Sequence, residues 1–89
     1  MERRHYTFRG SVQGVGFRVT AASLARGLPV SGWVRNEPDG SVAMEIQGEP
    51  AEIELLLIDL RERMSGRITD ESHAPSVPVE GESSFEIRH

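Results

Sequence analysis

The chain has 89 residues, with ten arginines, no lysine, fourteen acids and no cysteine, for a formal charge of −4. That length holds one small domain over residues 1–89 with a thin core, and it must fold without disulfides or a thiolate metal site. The longest apolar run, Leu55 to Ile58, is far too short to cross a membrane, and the acidic total disfavours a polyanionic partner, so the expectation is a cytoplasmic protein.

The first segment, Arg3 to Val12, alternates in polarity, with Tyr6, Phe8, Gly10 and Val12 on one parity. That pattern predicts a half-buried strand. Gly14 and Gly16 interrupt it, and from Phe17 the period changes so that Phe17, Ala21, Leu24 and Leu28 fall on one helical stripe. This helix is expected to run to about Arg26, with Gly27 at its C-cap and Pro29 preventing continuation. Val30 to Asn36 reads as a second strand with Val30 and Val34 inward, and Val42, Met44 and Ile46 mark a third. Between them, Glu37-Pro38-Asp39-Gly40 is a short hairpin connection. The second helix is the clearest element. Pro50 suits its first position, Glu52 and Glu54 its N-terminal end and Arg61 and Arg63 its C-terminal end, while Ile53, Leu56, Leu57, Leu60 and Met64 recur at helical spacing. Gly66 stops it. Beyond it Ile68 marks a short strand, a stretch holding Pro75, Pro78 and Gly81 follows, and Phe85 with Ile87 marks a last strand.

The order is β-α-β-β-α-β, with an extra short strand split off at the proline-rich stretch. It predicts a ferredoxin-like α+β sandwich, two helices on one face of a mainly antiparallel sheet. A right-handed crossover makes the first two strands parallel, so their C-terminal ends and the start of the first helix meet at one edge. The loop Gln13 to Phe17, Arg18 and Asn36 thereby come within reach of each other.

Charge is unevenly distributed along the chain. Residues 1–36 hold six arginines and one glutamate, a net +5, and the remainder is −9. Either the basic half serves a small anionic ligand, or the fold mixes the halves and erases the difference. The glycines let successive backbone N–H groups converge on an anion, a helix N-terminus adds partial positive charge, and Arg18 offers a planar fork that fits a phosphate. Two glycines often only make a turn, an arginine at a helix start is often only solvated, and an asparagine before a hairpin is commonly a turn residue. The combination points to a phosphate more strongly than any part. The loop is neither a Walker A motif nor a dinucleotide fingerprint, since no Gly-Lys-Ser/Thr and no third glycine follow.

Gly10-Ser11-Val12-Gln13-Gly14-Val15-Gly16-Phe17-Arg18, followed by Gly32-Trp33-Val34-Arg35-Asn36 and Asp39-Gly40-Ser41-Val42, resembles the signature pair of the acylphosphatase family. The resemblance continues in element order to Phe85-Glu86-Ile87-Arg88. It implies hydrolysis of acyl phosphates to a carboxylate and inorganic phosphate. It further implies a phosphate cradle of Gln13, Gly14, Val15, Gly16, Phe17 and Arg18, with Arg18 essential for anion binding and Asn36 orienting the attacking water. No metal and no cofactor are expected, and the partners are a small acyl phosphate or inorganic phosphate, with no nucleic acid, no membrane and no second subunit. Val19 and Thr20 stand where many members carry aromatic or long side chains, which bears on the pocket wall. Arg67 to Ser84 lacks an alternating apolar pattern, so the far edge of the sheet is expected to be short or irregular.

Two rival readings remain. One keeps the fold without catalysis, as a module that binds phosphate or carbamoyl phosphate. The other is RNA binding, because Gly14 to Val19 resembles a degraded RNP1 pattern of the RNA recognition motif. That pattern belongs on a third strand, whereas this stretch follows the first, and Val15 replaces its first stacking aromatic. His5, His73 and His89 have no ligand spacing, and His89 is assigned no catalytic role. Glu37 and Asp39 are expected to shape the hairpin and Trp33 to pack on the sheet. Ser41 lacks a histidine base. Arg3, Arg9 and Arg35 are expected to be solvated strand residues.

Overall fold

The computed structural model describes all 89 residues, Met1–His89. In chain order it contains β1 (Glu2–Gly10), α1 (Phe17–Arg26), β2 (Ser31–Asn36), β3 (Val42–Gly48), α2 (Pro50–Arg63), β4 (Ile68–Pro75) and β5 (Phe85–Arg88). The five strands form one sheet in the order β4-β1-β3-β2-β5. Every neighbouring pair is antiparallel except β2 with β5, which run parallel. This is the expected ferredoxin-like sandwich, with the additional strand on the outer flank of β2.

Strand parity and helical spacing converge on a single core. Tyr6 and Phe8 from β1, Val34 from β2, and Val42, Met44 and Ile46 from β3 meet Phe17, Ala21 and Ala25 of α1 and Ile53, Leu56, Leu57 and Leu60 of α2 in one cluster. The apolar run Leu55 to Ile58 divides as a period of 3.6 residues requires: Leu56 and Leu57 are buried, while Leu55 and Ile58 stay half-exposed. In α1 the buried stripe is Phe17, Ala21, Ala22 and Ala25, and Leu24 and Leu28 pack only at its margin. Alanines on the inner face let the helix lie close to the sheet, which rotates the larger leucines toward the edge.

Two expectations are corrected. The segment from Ile68 is a full eight-residue strand paired with β1 from Arg4 to Gly10, with one irregularity at Arg9/Gly10. It lies at the sheet edge, where backbone pairing alone defines the strand and the side chains of Asp70, Ser72 and His73 can stay exposed, so no apolar alternation is needed.

Arg3, expected to be solvated, is only 2 % exposed. Its Nε donates to Glu45 at 2.6 Å, and its Nη1 donates to Glu82 at 2.7 Å and to Gln47 at 3.2 Å. The connection from β4 to β5 runs from one sheet edge to the other, and this cluster ties it down. Gln47 adds a reciprocal pair, accepting from the Val79 N–H at 2.7 Å and donating to the Val79 carbonyl at 3.0 Å. Elsewhere, Arg4 pairs with Glu54 and Arg9 with Asp39. The fold thus mixes the basic and acidic halves of the chain, and the +5 of the N-terminal part does not survive as a basic surface.

Burial alone would raise the Glu45 and Glu82 carboxyls. Hydrogen bonds from His5 and Arg3 to Glu45, and from Arg3 and Ser31 to Glu82, hold both below the ordinary glutamate value of 4.5. Carboxyls depressed on folding stabilise the native state above their unfolded pKa and lose that contribution as pH falls through the depressed values. Arg3→Gln leaves both carboxylates without their cation and should destabilise the fold by roughly 3 kcal/mol, read by urea unfolding at neutral pH. The deficit should shrink in acid as the glutamates protonate; equal midpoints for wild type and variant at neutral pH would refute the role of Arg3.

Candidate active site

The C-terminal ends of β1, β2 and β5 and the N-terminus of α1 share one edge of the sheet, as the pairing directions require. The connection from β1 to α1, residues 11–16, closes over that edge. Its start is pinned by the Ser11 N–H, which donates to the Arg67 carbonyl at 2.9 Å. Gly14 and Gly16 then take φ of +73° and +79°. A Cβ built on either would meet nothing within 4 Å, so backbone conformation and not space requires glycine there.

Gly16 is the N-cap of α1, and no side chain caps the helix or places an acid in its first turn. The first N–H groups of α1 are therefore left for an anion. Arg18 and Asn36 line one cleft of about 100 Å³ together with Gly14, Gly16 and Phe17. Phe17 takes part through its backbone side, since its ring is buried against Phe8. Val19 lies on the same cleft wall and is largely exposed.

Not every residue expected in the cradle faces the cleft. The Gln13 amide turns toward the hairpin, where its Nε2 donates to the carbonyls of Glu37 at 2.8 Å and Ser41 at 2.9 Å. Val15 is half-buried and packs against the core. Gln13 thus joins the loop to the turn directly after Asn36 and fixes the distance between them.

The turn is itself rigid. Asp39 Oδ1 accepts from the Ser41 hydroxyl at 2.6 Å and the Ser41 N–H at 2.9 Å, and Gly40 takes a φ of +91°. Hydrogen bonds from the Ser41 hydroxyl and backbone, then from Arg9, hold the Asp39 carboxyl down to about 2. The capping contact therefore persists through the mildly acid range and is lost only as pH falls toward that value.

Three wider grooves lie elsewhere: one of about 390 Å³ around Arg4, Glu54 and His73, one of about 420 Å³ over Arg9 and Asp39, and one of about 440 Å³ along Gln47, Val79 and Glu82. The arginines Arg4 and Arg9 of the first two are already paired with carboxylates, and the third is lined by no arginine. Arg18 has no carboxylate partner; its Nη1 donates to the Arg88 carbonyl at 3.1 Å and to Nδ1 of His89 at 3.3 Å. The small cleft is thus the place where a guanidinium, free helix N–H groups and a neutral amide converge.

A model of the acylphosphatase family matches residues 4–87. The chain belongs to the acylphosphatase family. Its activity is that of an acylphosphatase, a hydrolase. The acylphosphatase of Synechococcus sp. strain JA-2-3B'a(2-13) is 41% identical over 86 residues, which is 97% of this chain and 92% of that protein. The acylphosphatase of Marinobacter nauticus is 36% identical over 90 residues, 100% of this chain and 98% of that one. Among solved structures, an acylphosphatase from Bacillus subtilis superposes with a TM-score of 0.90 at 29% identity over the whole of both chains. Full-length HypF, in a phosphate- and nucleotide-bound form, matches 99% of this chain with 12% of its own, at a TM-score of 0.87 and 27% identity.

Against the acylphosphatase signature, the structure adds contacts that spacing did not reveal. The Arg88 carbonyl and the His89 ring reach Arg18 because β5 runs parallel to β2 and ends at the same edge. The only sequence signal for this is the short alternation Phe85, Ile87 at the end of the chain, which marks a strand without saying which neighbour it joins. Trp33, expected to pack, lies between the guanidinium groups of Arg35 and Arg88 at 4.8 and 4.9 Å.

Gln13→Leu should remove both ties between loop and hairpin. The expected cost is about 1–3 kcal/mol of stability, from two carbonyls that lose their donor, together with a fall in kcat/KM of at least tenfold from the displaced loop. Activity and a melting curve measured on the same preparation check both, and full activity at wild-type stability would refute the role of Gln13.

Proposed function

We propose that the N–H groups of the Gly14 to Arg18 segment and the Arg18 guanidinium bind the phosphoryl group of an acyl phosphate, and that the Asn36 amide orients the attacking water. The observation that carries this reading is the convergence of an unpaired guanidinium, an uncapped helix N-terminus and Asn36 on one cleft. A carboxylic-phosphoric anhydride already contains a good leaving group, so the barrier is chiefly one of alignment and of charge on the equatorial oxygens. Water attacks phosphorus in line, the bond from phosphorus to the acyl oxygen breaks, and the carboxylate leaves with the electron pair. The proton of the water passes to a non-bridging phosphate oxygen, which makes the substrate its own base. No side-chain nucleophile enters this scheme.

Gln13 and Val15 act from behind, the first by tying loop to hairpin and the second by anchoring it to the core. The domain works as one unit over residues 1–89, as a monomer, in the cytoplasm and on a small substrate. RNA is disfavoured as a partner because the Gly14 to Val19 stretch is a loop and helix start, and because Trp33 is only 7% exposed between two arginines, with no free face for a base.

The test is hydrolysis of benzoyl phosphate. Arg18→Ala and Asn36→Ala should each lower kcat/KM by about two to three orders of magnitude, while Arg26→Gln, at the far end of α1, should retain wild-type activity. Turnover should also survive a chelator. Wild-type turnover by Arg18→Ala would remove its phosphate-binding role, and wild-type turnover by Asn36→Ala would remove the water-orienting role.

A further inference from the structure

An acyl phosphate has two ends, and the phosphoryl end alone fills the cleft. The space lined by Arg18 and Asn36 measures about 100 Å³, well under the roughly 300 Å³ at which organic ligands are ordinarily enclosed. The acyl part of the substrate therefore lies outside, along the rim. In-line displacement also sets its direction. With water held at Asn36, the bond from phosphorus to the acyl oxygen points away from that amide, which leaves the loop and the start of α1 to meet the acyl group.

That part of the rim offers little besides backbone. Three apolar side chains line the cleft, those of Val12, Phe17 and Val19. Val12 and Phe17 are 0% and 2% exposed and belong to the core, whereas Val19 is 65% exposed. Gly14 and Gly16, both exposed, contribute no side chain. Val19 is thus the one apolar side chain of the cleft that a group standing outside it can touch.

A single exposed valine on a surface needs no explanation by itself; this one is distinguished by its place. The Thr20 N–H donates to the Gly16 carbonyl at 3.0 Å and closes the first turn of α1, so Val19 sits in the turn whose N–H groups are open to an anion. The Cα–Cβ bonds of a helix tilt toward its N-terminus, which leans the Val19 side chain back over the mouth of the cleft. Branching at Cβ holds a helical valine close to one rotamer, so covering it costs little side-chain entropy. No acid stands on α1, whose charged residues are Arg18 and, at its other end, Arg26. The next exposed residue along the helix is Ser23, so the apolar surface is one side chain wide.

We propose that Val19 contacts the acyl group of the substrate and favours a compact apolar acyl group, aryl or branched alkyl, over acetyl, whose methyl is too short to reach it. The acyl group keeps its place as the bond to phosphorus lengthens, so the contact is made alike in ground and transition states and acts on KM more than on kcat.

The inference rests on the reading of the Gly14 to Arg18 segment as the phosphoryl site, and the experiment separates the two. Hydrolysis of benzoyl phosphate and of acetyl phosphate is measured for wild type, Val19→Ala and Val19→Thr. Val19→Ala should lose roughly three- to tenfold in kcat/KM toward benzoyl phosphate, the scale of partly covering one valine side chain, with the change carried by KM. Toward acetyl phosphate it should stay within about twofold of wild type, since the acyl contact is missing there in both proteins. Val19→Thr, which keeps the branched shape and exchanges a methyl for a hydroxyl, should fall between the two. Comparing each substrate across variants cancels the difference in leaving group. Inhibition by inorganic phosphate, which has no acyl group, should be equal in all three proteins. Equal losses on both substrates, or weaker inhibition by phosphate in Val19→Ala, would place Val19 in the helix start alone and overturn the proposal, as would an unchanged KM for benzoyl phosphate. Arg18→Ala, by contrast, should weaken both substrates and phosphate together. If it does not, the phosphoryl reading falls, and the ratio of benzoyl to acetyl phosphate turnover in Val19→Ala still decides the acyl contact. Phenacylphosphonate, in which a methylene replaces the bridging oxygen of benzoyl phosphate, gives the same comparison without turnover. Wild type should bind it more tightly than Val19→Ala by the same factor, and equal binding refutes the contact.

Discussion

The width of the site is set by one insertion in the sheet, the placement of β3 between β1 and β2. Neighbouring strands lie about 4.8 Å apart, so the two strands whose ends frame the site are separated by roughly 10 Å. Neither strand end alone can reach a ligand held by the other. The gap is closed from above by residues 11–16 and the start of α1, and it is held to a fixed span by the Gln13 amide, which reaches the turn between β2 and β3. Pairing geometry thus supplies the coarse dimension and one side chain the fine one. Without the first the loop would have nothing to bridge, and without the second the residues facing each other across the cleft would not share a frame.

Electrostatics in this protein is organised by subtraction. Arg3, Arg4, Arg9, Arg35 and Arg61 each face a carboxylate, and the acids that neutralise the basic N-terminal strand come mostly from later parts of the chain. Arg18 is left with neutral acceptors, and α1 begins without a capping side chain or an acid in its first turn. An internal carboxylate at that position would occupy the same donors that a phosphate needs. Keeping the edge free of anions leaves the first N–H groups of α1 and the Arg18 guanidinium open in a chain that is acidic as a whole.

What could be read from the sequence follows the physics of each element. α2 and β3 bury one side fully, so their periodicity is written in the residues, and the boundaries of α1 are marked by Gly16 and Gly27. The cleft residues were also legible, since a right-handed crossover and two glycines dictate where Arg18 and Asn36 meet. β4 was not, because an edge strand held by its backbone leaves no apolar signature. Arg3 was misread for a related reason: alternation assigns it to the uncovered face of the sheet, and only the chain crossing back over that face, far away in sequence, buries it. The place of Gln13 in the loop is legible, and the partners of its side chain are not. Its amide answers carbonyls more than twenty positions away, and spacing along a chain cannot express such a pairing.

Trp33 is the only tryptophan in the chain, and it shares Arg88 with the site: the Arg88 guanidinium stacks on the indole while its backbone carbonyl holds Arg18. The two faces of the sheet are therefore linked through a single residue of β5. Any shift of that strand that loosens Arg18 must also change the cation packed on the indole, and with it the polarity around the ring. The protein thus carries its one intrinsic fluorophore on the face of the sheet opposite the cleft, joined to Arg18 through one residue of the last strand.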